Sequence, residues 1–325
     1  MHHSVKSIVV FLIFFISMGY AQAKTTIRVG YLPILDHLTL FVSHAHDHAT
    51  FQNVDIQIKM FKSWPELAGA LKAELVDAAF FLSPLSMDLF NQGLPIETVL
   101  LAHRDGSAIT IGKNLPIQSA KDLKGKTIAV PHIKSTHTAL LQKYLMDSGL
   151  SLKDVVTKLI TPTHMSKAMQ QGKIDAFIVA EPFGTLAQSE GVGRMLTLTR
   201  DILKHHIDCI VVVNQKIIKS DPNAVQEWVN SLIRAGQWIE KDKLENGSKQ
   251  VAKLSVQGYL PHPEAAIIGG LQNPIDRITF DNLEPTISDF KKIVELSIQA
   301  GILNKVDLEK FIDVKFFNNS GQRNK

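Results

Sequence analysis

The sequence predicts an α/β protein built as two similar lobes, each a mostly parallel sheet covered by helices. Strand-like and helix-like segments alternate through the first hundred residues, the signature of strands joined by helical crossovers. The alternation restarts after a polar break at 114–125. One segment is also written twice: LKAELVDAAFFLSP from residue 71 aligns without a gap to MQQGKIDAFIVAEP from residue 169. Two copies are too few for a solenoid, so the repeat predicts two related lobes.

Residues 26–30 (TIRVG) read as a β-branched strand closed by Leu32 and Pro33, with a helix from Asp36 as N-cap through Leu38, Phe41 and Val42. Residues 54–61 alternate apolar and polar, a strand with one exposed face. Ser63 and Glu66 form a capping box that opens a helix running to about residue 74, which feeds a strand over 78–82. The second block repeats the order. Residues 127–130 form a strand, 135–146 a helix ended by Gly149, 156–161 a strand, 164–171 a helix and 174–180 a strand. The stretches 103–112 and 207–214 are read as the outward and return connections between lobes. Asp221 caps a long helix carrying Val225, Trp228, Val229, Leu232, Ile233 and Trp238, and the C-terminal helices are expected to pack on the first lobe. The expected division is 24–103 with 213–325 as lobe I and 104–212 as lobe II.

The first 23 residues have the three parts of a cleaved export signal: Lys6, an apolar stretch from about Ile8 to Met18, and the small-residue site Ala21-Gln22-Ala23. The apolar stretch is shorter than the roughly 20 residues a membrane span requires. A periplasmic protein is expected. Its single cysteine, Cys209, allows no internal disulfide, so stability must come from core burial. The net charge of +4 loses one unit with the signal, too mild a balance for nucleic-acid binding.

Ligands of open parallel sheets bind beyond the carboxyl ends of strands, where helix N-termini offer free N–H groups. At that edge lie Asp36, His37, Thr39 and Ser83 in the first lobe, and His132, Ser135, Thr136, His137 and Glu181 in the second. Arg104, at the first connection, can pair with Asp105, Glu181 or an anionic ligand. Ser135 or Thr136 is equally suited to capping its helix, His137 to a partly exposed helix face, and Glu181 to a hinge hydrogen bond. His44, His46 and His48 surround Asp47, but only His44 and His48 share a helix face, and zinc needs three or four converging ligands. No metal or cofactor is therefore expected. The motifs GxSxG, HExxH, GxxxxGK[ST] and CxxC are absent, and Cys209 lies in an apolar run, so an enzyme is not the favoured reading.

The stretches IRVGYLPILDHLTL, LVDAAFFLSPLSM, GSAITI, DLKGKTIAVPH and IDAFIVAEPFG, in that order, resemble the periplasmic solute-binding proteins of ABC importers of the nitrate/sulfonate/taurine/bicarbonate type. That resemblance implies a type II periplasmic-binding fold with a two-segment hinge. It also implies a small ligand held in the inter-lobe cleft and transient docking of a monomer onto a membrane permease. GSAITI and the Glu181-Pro182-Phe183 edge are closest to the nitrate and bicarbonate branch, with phenylalanine where tryptophan is typical. A small anion is the expected ligand. The acids Asp36 and Glu181 keep a pyrimidine-like or amine ligand open, and an enzyme on the same fold would use His37 or His137.

Overall fold

A computed structural model describes residues 23–321. The predicted export signal thus falls almost entirely outside the described residues. Among them, no helix is long and apolar enough to cross a membrane.

Twelve strands are described: β1 (Thr25–Tyr31), β2 (Val54–Met60), β3 (Ala78–Leu82), β4 (Ile96–Leu101), β5 (Arg104–Asp105), β6 (Ser107–Gly112), β7 (Thr127–Val130), β8 (Val156–Leu159), β9 (Ala176–Ala180), β10 (Gly193–Leu198), β11 (Cys209–Asn214) and β12 (Ile278–Thr279). They form two five-stranded sheets of the same design, ordered β2-β1-β3-β11-β4 and β8-β7-β9-β6-β10. In each, the first three strands are parallel and the fourth runs antiparallel. That fourth strand is the one the chain enters on arriving from the other lobe.

The duplicated segment explains this likeness. Asp77 and Asp175 occupy matching places just before β3 and β9. Each accepts the amide of a residue on the first strand of its sheet, Arg28 N at 2.9 Å and Thr127 N at 2.8 Å. Each also donates its own amide back to that residue's carbonyl. A carboxylate bonded this way ties strand one to strand three. The strands behind them, AAFFL and AFIVA, are buried throughout. Each large apolar side chain so buried contributes about 1.5–3 kcal/mol.

The helices cover these sheets as their caps direct. Ser63 accepts from Glu66 N, Ser135 from Thr138 N and Asp221 from Ala224 N. Asp36 does not cap. It lies in a 3-10 turn, Leu35–His37, with its side chain turned to other partners, and the helix begins at Leu38. Two other expectations differ from the structure. The division at 212/213 falls inside β11, whose residues from Cys209 onward pair with β3 and β4. The C-terminal helices also reach beyond the first lobe: Pro222–Asn246 packs on Leu38–Asp47, but Glu264–Gln272 leans on Phe183–Ser189 and Ile287–Gln299 on Thr136–Met146.

The two connections are joined by a third segment. β5 pairs with β12 from the C-terminal region, and Gly106 N donates to Arg277 O at 2.9 Å. Gly106 has φ +95, and a Cβ there would come within 2.7 Å of Ile278. Only glycine fits this close approach at positive φ.

Asp77→Asn tests the strand lock. Burial raises the Asp77 carboxyl, but the bonds and charge of Arg28 outweigh it and hold it below its ordinary value. A depressed folded-state value means stability present above the unfolded value and lost as pH falls through the folded one. With Arg28 nearly half exposed, a loss of about 1 kcal/mol is expected at neutral pH. Denaturant unfolding should show this deficit shrink below about pH 4.

Candidate functional site

Where the lobes meet, the ends of parallel strands and the starts of antiparallel ones converge. The register places Cys209 beside Leu82 and Ser107 beside Ala180. The turn after β1 supplies Asp36, the end of β3 supplies Ser83, and the second lobe supplies Thr136, His137 and Glu181. The two connections add His103, Ser107, Asp208 and Cys209. All of these side chains are buried.

One group spans the lobes directly. The hydroxyls of Ser83 and Thr136 are 3.3 Å apart, and Ser83 N donates to Asp208 O at 2.9 Å. Asp208 Oδ2 lies 3.3 Å from both the Ser107 hydroxyl and His137 Nε2, while Ser107 Oγ and His137 Nε2 are 2.9 Å apart. A serine, a histidine and an aspartate are therefore in mutual contact. They do not form a relay, because a relay needs the carboxylate on the ring nitrogen opposite the one facing the hydroxyl. Here both partners face Nε2, and Nδ1 has no partner.

A second group adjoins it. Asp36 Oδ2 is 3.2 Å from His103 Nε2 and 3.6 Å from Cys209 Sγ. Burial lowers His103, but the charge and hydrogen bond of Asp36 prevail and raise it above its ordinary value. Burial, reinforced by the charges of Asp36 and Asp208, pushes the Cys209 thiol well above its ordinary value.

Glu181 forms the third group. Its carboxylate pairs with Arg277 and accepts from Thr185 N at 3.1 Å. Its carbonyl accepts from Leu35 N of the first lobe at 2.9 Å. Burial raises the Glu181 carboxyl against the opposing charge of Arg277. The acid at the end of the buried strand is thus held by an arginine from the C-terminal segment, and its main chain bridges the lobes.

Of the ten residues expected at the edge, Asp36, Ser83, Thr136, His137 and Glu181 come together here. Ser135 caps its helix from beneath them. Thr39 is turned onto the first connection, its hydroxyl 3.4 Å from Ala102 O. His37 faces the first lobe's core, its ring edge-on to Phe80 and Trp64. Burial and the neighbouring His103 lower it to about 3. His132 stands half-buried at the rim, its Nδ1 accepting from Lys134 N, and Lys134 reaches Asp88 of the first lobe at 2.5 Å.

Arg104 is placed elsewhere. It pairs with Asp289 at 2.9 Å and donates to the carbonyls of Asn282, His205 and Glu284. The fixed fork of donors finds Asn282, Glu284 and Asp289 on the C-terminal segment and His205 just before β11, so the side chain ties that segment to both connections rather than facing a ligand.

His103, Ser107, Asp208 and Arg277 were not singled out from the sequence, and Cys209 was read there as a small apolar residue. A search at the carboxyl ends of parallel strands passes over the starts of antiparallel ones, although an acid before an apolar run, as in IDCIVVV, was a visible signal. His44 and His48 stack at 4.7 Å, with His44 bonded to Tyr259, whereas His46 lies against Trp238. A surface depression of about 410 Å³ lined by Lys113, Asn114 and Glu190 lies at the far end of the second sheet, away from these groups.

The NMT1-like family matches residues 20–255, and the chain belongs to that family. It is 24% identical over 274 residues to the nitrate/nitrite binding protein NrtA of Nostoc sp., an alignment covering 78% of this chain and 62% of that protein. Among solved structures, a zinc-bound ligand-binding component of an ABC-type import system from Staphylococcus aureus superposes with a TM-score of 0.83 at 20% identity, covering 92% of this chain and 100% of that one. The periplasmic nitrate-binding protein NrtA of Synechocystis gives 0.81 at 18% identity, covering 92% and 89%. The fold is therefore that of the type II periplasmic-binding proteins.

Arg104→Ala should act on stability. Removing it takes one partner from Asp289, which keeps Thr286 and Lys292, and withdraws a donor from the carbonyls of Asn282 and His205, an expected loss of about 2 kcal/mol in denaturant unfolding. Because the side chain is directed away from the junction, ligand affinity of the folded fraction should stay within about threefold of wild type, as calorimetry can check.

Proposed function

We propose that this protein is the periplasmic substrate-binding component of an ABC importer, capturing a small anion of the nitrate, bicarbonate or organosulfonate class between its lobes. One observation carries the reading: hydrogen-bonding side chains from both lobes and both connections meet in one buried junction, with the Ser83 and Thr136 hydroxyls 3.3 Å apart across it. Ser83, Ser107, Thr136 and His137 offer donors, and the helix Thr136–Met146 begins there with its free N–H groups. Donors fixed in a dry site select an oxyanion by geometry, because any group left unpaired is costly. Lobe closure then turns binding into a shape that a permease can read. Family membership and the nitrate-binding relative support this assignment.

In this reading the protein is exported through a cleaved signal, acts as a monomer and docks transiently on its permease. It needs no cofactor, binds no nucleic acid and is not an enzyme. Ligand-binding roles fall to Ser83, Ser107, Thr136 and His137, while Glu181 and Arg277 hold the second lobe's edge in place.

A second reading, an amine or pyrimidine-like ligand, is favoured by the buried acids. Asp36 Oδ1 and Asp208 Oδ1 have no hydrogen-bond partner, and such oxygens suit a donor-bearing or cationic ligand.

A thermal-shift screen of the mature protein against nitrate, bicarbonate, sulfonates, amines and pyrimidines separates the two. At a hundredfold excess over its Kd, the true ligand stabilises by about 2.7 kcal/mol. Stabilisation by amines or pyrimidines and by no anion would overturn the first reading. Ser83→Ala and His137→Ala should each weaken the active compound about tenfold, near the 1.4 kcal/mol of one good hydrogen bond.

A further inference from the structure

We propose that Asp36, His103 and Cys209 form a binding site for a borderline-soft divalent transition-metal ion of the zinc type. The three residues come from the turn after β1 and from the two inter-lobe connections, so no sequence spacing announces them. One ligand atom from each lies within 4.8 Å of the others, and all three side chains are buried.

Two of the three spacings match the edges of a coordination polyhedron. Zinc holds imidazole nitrogen and carboxylate oxygen at roughly 2.0–2.2 Å and thiolate sulfur at roughly 2.3 Å, so a tetrahedron has an N···O edge of about 3.4 Å and an O···S edge of about 3.6 Å. Here His103 Nε2 and Asp36 Oδ2 are 3.2 Å apart, and Asp36 Oδ2 and Cys209 Sγ are 3.6 Å apart. The third edge, from His103 to Cys209, lies within 4.8 Å, and its closure onto the tetrahedral edge seats the ion.

The carboxylate provides an independent indication. Asp36 Oδ1, the oxygen not facing His103 and Cys209, is buried and without a hydrogen-bond partner, so this carboxylate is short of compensating charge, which a cation on the group supplies. Asp208 stands next in sequence to Cys209, and its own Oδ1 is likewise unpartnered. It adds negative charge beside the site without being one of the three ligands.

Binding replaces a proton. The thiol proton of Cys209 leaves to solvent, and thiolate, imidazole and carboxylate each give a lone pair to the ion. His103 Nε2 also lies 3.2 Å from Cys209 N; turning its lone pair to the metal gives up that long contact. One sulfur, one nitrogen and one oxygen ligand select zinc or cobalt over calcium or magnesium, which take oxygen shells. Three protein ligands leave a fourth position free, as open zinc sites do. The proposal does not depend on the anion reading, since the site stands on its own donor set.

Cobalt(II) and zinc titration of the untagged mature protein tests it. Cobalt should bind at one equivalent with a thiolate-to-metal charge-transfer absorption. Cys209 is the chain's only cysteine, so that band reports this site even if a variant fails to fold. Zinc should displace the cobalt. Cys209→Ser and His103→Gln should abolish the band and weaken zinc on the order of 100-fold or more, beyond the roughly 10–100-fold loss from an outer-shell partner. The double variant His44→Ala, His48→Ala should bind as wild type. Cobalt binding without the band, no binding at all, or loss of binding in the His44/His48 variant would overturn the proposal.

Discussion

A carboxylate taken out of water costs several kcal/mol unless something compensates it, and this fold buries Asp36, Asp105, Glu181 and Asp208 where its lobes meet. Their partners come from elsewhere in the chain: Asp36 meets His103 and Cys209, Asp105 meets His206, Glu181 meets Arg277, and Asp208 meets Ser107 and His137. Each of these contacts needs a residue from a connection or from the C-terminal segment in position. The junction thus specifies a relation between lobes as well as a surface for a ligand.

That dependence explains the third hinge segment. Arg277 reaches Glu181 from the segment that Gly106 lets approach β5, and Arg104 pins the same segment through Asp289 and the carbonyls of Asn282 and Glu284. Two arginines share the work. One holds the C-terminal return against the hinge from outside, and the other carries a positive charge inward to the strand end. A two-segment hinge would leave Glu181 buried without its counter-charge, so the return of the chain is part of the junction.

The alternation of strands and helices was legible in the sequence because periodicity and capping are local properties. Ser63, Ser135 and Asp221 cap the helices that their spacing announces. The duplicated stretch located both third strands and, in Asp77 and Asp175, the residues that lock them. The edge itself was also legible: Asp36, Ser83, Thr136, His137 and Glu181 follow strand ends and meet. His37 and Thr39 share a turn or helix with them but face other directions, since one residue rotates a side chain by about 100° around a helix.

What the sequence by itself determined is the α/β class, the repeat, the caps and the edge at which polar residues gather, all set by patterns within a dozen residues. Tertiary structure alone decided which charge answers which. Arg104 and Arg277 are equally available arginines on paper, yet only Arg277 is carried to Glu181. Cys209 reads as one more apolar residue of IDCIVVV until β11 enters the first sheet antiparallel and sets its sulfur beside Asp36. Strand direction and chain return are long-range properties, fixed by packing two lobes together, and no local pattern encodes them.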